Sequence, residues 1–344
     1  SLPVRMGGLG FENPQQSSPL EYESSVAVTE PLVECIIAQS HQPPEEADMR
    51  SRSLKTRTKK MEMLDKKLEE IKTDLPPRSL KAVDLACEKG ASSWLTVLPL
   101  RELGYNLNKQ EFRDAIKMRY NWGIPDLPKV CICGDVFDID HAMICKRGGL
   151  VIQRHNEIRD LEAELLSAVC KDVEVEPTLQ PLSGETLNNG ANTSSDARLD
   201  IHARSFWERQ RSVFFDVRVC HPCADSYREQ TPAQIYRQHE SEKKRKYANR
   251  VLEVEQGTFT PLIFSTTGGM GTECKMFHKR LAELLSIKKN ESYATTMSWV
   301  RAKVSFALLR SALLCLRGTR NIRKTFDTTD IDFTLENAMA NIST

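Results

Sequence analysis

Cys131, Cys133, His141 and Cys145 gather four nitrogen and sulfur metal ligands into fifteen consecutive residues. Two thiolates one residue apart chelate from a tight turn, and Gly134 gives that turn the backbone freedom it needs. His141 and Cys145 are four residues apart, so a single helical turn sets both on the same side. Four such ligands with no open position describe a closed, structural Zn²⁺ site, which would hold together a segment with almost no core of its own. Ordinary buried thiols in a reducing cell are the bland alternative, and they leave the clustering without a cause. Cys220 and Cys223 form a second CxxC around His221, but no further pair lies nearby, so both read as unliganded. Cys35, Cys87, Cys170, Cys274 and Cys315 are scattered singly, unlike a disulfide framework, which suits the cytosol or nucleus.

A second candidate centre is built of carboxylates. Alternation along a strand sets Leu199, Ile201 and Ala203 on one face, with Asp200 and His202 on the other. In the next apolar run Asp216 and Arg218 stand opposite Phe215, Val217 and Val219. Charges in strands this apolar are costly unless paired or metal-bound. Hairpin pairing of the two runs brings Asp200 beside Asp216, and a divalent cation relieves the repulsion between neighbouring carboxylates. Mg²⁺ held there, with a cation at the phosphate, is the equipment of phosphodiester hydrolysis. The helix that follows offers Lys243, Lys244, Arg245, Lys246 and Arg250. The competing reading places both acids in structural salt bridges with Arg198 and Arg218.

These residues need elements to position them, and the patterning predicts a mixed α/β (α+β) fold. Residues 1–50 read as loop-rich, with a short helix from Leu32 to Ala38. Leu54, Met61, Leu64, Leu68, Ile71 and Leu75 recur at helical spacing, and Pro76-Pro77 ends that amphipathic helix. Asn108 and Glu111 form a capping box for a helix from Lys109 to Tyr120. Its basic face (Lys109, Arg113, Lys117, Arg119) is either merely solvated or, beside a zinc knuckle, available to nucleic acid. After Cys145 a helix over 151–170 precedes strands at 172–175, 198–203 and 213–219. A helix over 232–254, a strand at 259–264 and helices at 275–286 and 294–316 complete the order. The polar loop 183–196 reads as mobile and the last twenty residues as a frayed tail.

The formal net charge is only +1 with 28% charged residues, so no global field announces a polyanion and any DNA-binding face must be local. No run approaches the roughly 18 apolar residues of a membrane span, and the start lacks the zones of a signal peptide. Ser1 in place of Met reads as a piece of something longer.

The chain resembles the C-terminal part of reverse transcriptases from non-LTR retrotransposons that carry a restriction-like endonuclease. Leu2-Pro3 through Gly7-Gly8-Leu9-Gly10 is similar to the family's thumb segment, and Trp94-Leu95 through the Phe112–Tyr120 helix to its linker. Cys131, Cys133, His141 and Cys145 match the family's CCHC knuckle, and Arg154-His155-Asn156 the segment after it. Asp200 and Asp216 match the two acids of a PD-(D/E)XK motif, and Lys243 and Lys246-Tyr247 the lysine-bearing helix. Leu199 replaces the usual proline before the first acid, and Arg218 stands where many such nucleases have lysine. Arginine binds phosphate but cannot give up a proton. The resemblance implies five segments: a thumb-like remnant at 1–50, a helical linker at 51–129, the knuckle at 130–147, an endonuclease with αβββαβ core at 148–323, and a tail at 324–344. It implies Mg²⁺-dependent nicking of target DNA to prime reverse transcription, with Asp200 and Asp216 as metal ligands. Lys243, Lys246 and Arg218 would act at the phosphate, and Arg154, Lys244, Arg245 and Arg250 would contact nucleic acid. Element RNA would be a further partner, no membrane is involved, and the place of action would be the nucleus after cytoplasmic transit. No palm with its metal-binding aspartates is present, so this chain has no polymerase activity. The rival expectation is an inactive zinc-knuckle nucleic-acid-binding module from a degenerate element.

Overall fold

The structure, a computed structural model, describes residues 2–11 and 13–320, so the expected tail lies outside the described residues. Two compact units emerge, Ser1–Asn106 with Ile116–Trp122, and Leu107–Ala115 with Gly123–Thr344. No helix among the described residues is long and apolar enough to cross a membrane.

The first unit corrects the reading of residues 1–50 as loop-rich. Helix α1 runs Pro14–Ile37, with Pro14 in the first turn and the Asn13 side chain accepting from Gln15 N. Pro19 and Pro31 lie inside it, which is why the pattern reads as broken. Helix α2 spans Glu46–Thr73 and begins well before Leu54, where the helical pattern starts. Lys60–Glu21 (2.6 Å), Lys59–Glu23 (2.7 Å) and Arg52–Glu30 (2.8 Å) bridge α1 and α2, though pairs this exposed stabilise each contact only slightly. A short α3 covers Pro77–Ala86. At the start of the chain, a Cβ on Gly8 would sit 1.8 Å from Leu2 O, so that turn admits only glycine.

Helix α4, Lys109–Arg119, carries the expected cap: Asn108 Oδ1 accepts from Glu111 N at 2.9 Å, and Glu111 answers at Asn108 N at 2.8 Å. Its basic face is not wholly exposed. Arg119 donates to Val4 O and Gly8 O, both at 3.1 Å, and thereby pins the N-terminal turn.

In the second unit, helix α5 (Ile139–Ile144) and α6 (Leu150–Ser167) lead into a four-stranded sheet, β1 Lys171–Val175, β2 Ile201–Arg204, β3 Ser212–Cys220 and β4 Thr258–Ser265. The strand order is β1-β2-β3-β4, antiparallel as far as β3, with β4 parallel to β3. A parallel partner needs a crossover, and α7 (Pro232–Glu253) supplies it. Helices α8 (Thr272–Lys289) and α9 (Tyr293–Arg317) close the unit. The expected order of helix, three strands, helix and strand is present.

Alternation along β3 divides the packing. Val213, Phe215 and Val217 join Ile158, Phe277 and Val304 in the main core, whereas Phe214 faces Tyr247 and Val251 of α7. Asp216 shares parity with Phe214 and so turns toward α7. Strand β2 starts only at Ile201, and Leu199 packs with Phe214 and Tyr247 instead of joining Ile201 and Ala203 on one face. The alternation read from Leu199 onward therefore breaks one residue before the strand.

Candidate functional site

The knuckle forms from local geometry. Cys131 N donates to Asp135 O and Gly134 N to Cys131 O, both at 2.9 Å, closing a turn in which Gly134 holds φ +97°. Asp138 caps α5 by accepting from His141 N at 2.7 Å, which aims His141 back at the turn. The four ligand atoms lie within 4.8 Å of one another. Cys131 Sγ and Cys145 Sγ are 3.7 Å apart, Cys133 Sγ and Cys145 Sγ 4.0 Å, and Cys133 Sγ and His141 Nε2 3.3 Å. A tetrahedron with zinc's bond lengths has edges of about 3.8 Å between sulfurs and about 3.6 Å from sulfur to nitrogen. The group can hold a metal ion and is compatible with zinc. Burial alone pushes the Cys131 thiol up, but hydrogen bonds from the Cys133 backbone, His141 and the neighbouring thiols pull it down to about 6.

This module is anchored to its unit. Ala142 and Met143 are buried, and the last carbonyls of α5 are taken by arginines: Arg154 donates to Met143 O at 3.0 Å and Arg320 to Ala142 O at 3.3 Å. Arg154 is only 2% exposed, and its Nη1 also lies 3.7 Å from Cys315 Sγ and 3.9 Å from Met143 Sδ. That corrects its assignment to nucleic acid, because its guanidinium is used inside the fold.

The acids meet as the hairpin reading requires. Ile201 lies opposite Phe215, and Asp200 N donates to Phe215 O at 3.1 Å, so Asp200 and Asp216 are neighbours across the ladder. Neither pairs with the arginines of the salt-bridge reading. Asp200 Oδ2 accepts from Val217 N at 2.6 Å, and its Oδ1 is 3.1 Å from His155 Nε2. Asp216, 5% exposed, is met by Lys243 of α7, with Nζ 2.5 Å from Oδ2. Burial pushes the Asp216 carboxyl up, Lys243 opposes that, and Asp200 adds to it; the net direction is upward. Among the described residues Asp200 and Asp216 belong to no cluster of three or more metal-type ligands. A cation held by these two acids alone would complete its shell with water and phosphate, which is how Mg²⁺ is commonly bound.

The candidate cations separate. Lys243 reaches the acids, whereas Lys246 is exposed and lies over the Tyr247 ring at 5.0 Å. Arg218, two residues on along β3, donates to Glu242 Oε2 of α7 at 2.9 Å rather than pairing with Asp216. Lys244 pairs with Glu273, and Arg245 is exposed beside Gly190. Arg250 is 0% exposed and donates to Gln180 O, Asn192 O and Ser194 O, which removes it from any nucleic-acid face. The same bonds, with Asn192 N donating to Lys246 O at 2.8 Å, tie the loop 183–196 onto α7, against its reading as mobile. Sequence reasoning gave His155 no role; its contact with Asp200 spans 45 residues, and no spacing rule reaches that far. Cys220 donates to Phe264 O, as an unliganded thiol can, but Cys223 lies with Asp140 and His221 in a second metal-capable group.

The chain matches no known family model, and no curated protein matches it significantly.

Proposed function

We propose that the second unit is a Mg²⁺-dependent, DNA-nicking endonuclease of the restriction-like PD-(D/E)XK type, with Zn²⁺ in its knuckle. The observation that carries this reading is the convergence of Asp200 just before β2, Asp216 of β3 and Lys243 of the crossover helix, with Lys243 Nζ 2.5 Å from Asp216 Oδ2. Asp200 and Asp216 would hold Mg²⁺, which when bound lowers the pKa of a water and offsets charge on the phosphate. Lys243 is the positive group nearest the acids and would turn to the scissile phosphate, stabilising the charge that grows there. His155 and Val217 N keep the Asp200 carboxylate oriented. Lys246 and Arg245, exposed on α7, would track the DNA backbone by charge alone. In this reading the protein belongs to a retrotransposon, acts in the nucleus, and leaves a nicked end that primes reverse transcription of element RNA.

Supercoiled plasmid incubated with the protein and Mg²⁺ should convert to open circles, and chelation should stop the conversion. A second reading, an inactive module that binds nucleic acid without cutting, is favoured by the lack, among the described residues, of a third metal-type ligand clustered with Asp200 and Asp216. It prevails if the plasmid is bound but stays supercoiled in both Mg²⁺ and Mn²⁺.

The knuckle is expected to hold one zinc equivalent that is missing from Cys133→Ser, as read by metal analysis of purified protein. Identical zinc in the two proteins would exclude the knuckle as a zinc site.

A further inference from the structure

The geometry points to a second transition-metal site, formed by Asp140, His221 and Cys223 and separate from the knuckle. One donor atom from each of these residues lies within 4.8 Å of the others. The three come from two places in the chain: Asp140 from the first turn of α5, His221 and Cys223 from the turn that leaves β3. Both places are held firmly. Arg154 and Arg320 fasten the end of α5 through its carbonyls, while Ala224 N donates to His221 O at 3.1 Å and Thr266 N to Cys220 O at 2.9 Å.

His221 is buried, and its ring is oriented at both ends. Nδ1 is 2.7 Å from Thr266 Oγ1, and Nε2 is 2.9 Å from Asp140 Oδ1. A histidine whose far nitrogen is held by a hydroxyl, with its near nitrogen turned to other donors, is arranged as metal-bound histidines are. Nε2 and Asp140 Oδ1 thus meet at one point, and Cys223 brings its Sγ to the same place. The donor set selects the metal. A thiolate and an imidazole exclude Mg²⁺ and Ca²⁺, and one carboxylate completes a set suited to Zn²⁺ or Co²⁺. Ligand atoms around such an ion are about 3.3–3.8 Å apart, so small side-chain rotations close the group. Three protein ligands leave a fourth position for water, unlike the closed knuckle.

Zinc content of the full chain, purified with excess zinc and dialysed, tests the site. Wild type should carry two equivalents, Cys133→Ser one and Cys223→Ser one. Since His221 is buried, His221→Asn is paired with the half-buried Cys223→Ser, and circular dichroism checks the fold of each. Cobalt substitution gives an independent reading: Cys223→Ser should lose the contribution of one thiolate to the charge-transfer band and leave that of the knuckle's three. The site is overturned if Cys223→Ser and His221→Asn, both folded, bind as much zinc as wild type with an unchanged cobalt spectrum. It is equally overturned if wild type holds a single equivalent and Cys133→Ser removes all of it.

Discussion

Replacing Lys243 with alanine should slow single-turnover nicking by about 10²–10³ at saturating DNA, the usual cost of removing a preorganised electrostatic group. Lys243 is half-buried, and its ammonium is aimed at Asp216, so its loss removes the cation nearest the acids and leaves a buried carboxyl without its partner. Lys246→Ala should change the rate little, because Lys246 lies over Tyr247 at the surface. Arg218→Lys should also cut well, because Arg218 is engaged with Glu242. Thermal denaturation run alongside separates lost chemistry from lost fold. Normal cutting by Lys243→Ala, with loss of activity in Lys246→Ala, would reverse the assignment of the two lysines.

Arg250→Ala should destabilise the second unit by about 3–5 kcal/mol, because each buried acceptor left without its donor costs about 1–3 kcal/mol. Three carbonyls, Gln180 O at 2.9 Å, Asn192 O at 2.8 Å and Ser194 O at 2.7 Å, would lose their donor together. Arg250→Lys should recover only part of this, since a single ammonium cannot span three acceptors fixed by a planar fork. Chemical denaturation measures the loss. The salt dependence of DNA binding should keep its slope in whichever variant remains folded, because a buried guanidinium releases no counterion. A stable Arg250→Ala with a shallower salt slope would restore the nucleic-acid role and refute the structural one.

How far these sites were legible follows from the distances their contacts span. The knuckle was readable because its ligands lie within fifteen residues and depend on one glycine turn and one helical turn. Asp200 and Asp216 were readable because strand alternation and a hairpin are short-range rules, and the register of Ile201 with Phe215 follows them. Helix α1 was obscured by Pro19 and Pro31, local breaking signals that packing along α2 overrides.

Arginine was the residue type most often misread. A charged side chain in a sequence looks like surface, and only the packed chain reveals that Arg154 and Arg250 are buried and supply donors to main-chain carbonyls. The contacts of His155 with Asp200 and of Asp140 with His221 span 45 and 81 residues. By itself the sequence determined which chemistry each segment can carry, because ligand spacing, strand parity and caps are local. Tertiary structure alone decided which lysine meets the acids, which arginines are interior and which distant donors share a site. Those outcomes depend on how helices pack across the sheet, and that is settled by the summed burial of whole faces rather than by any short run of residues.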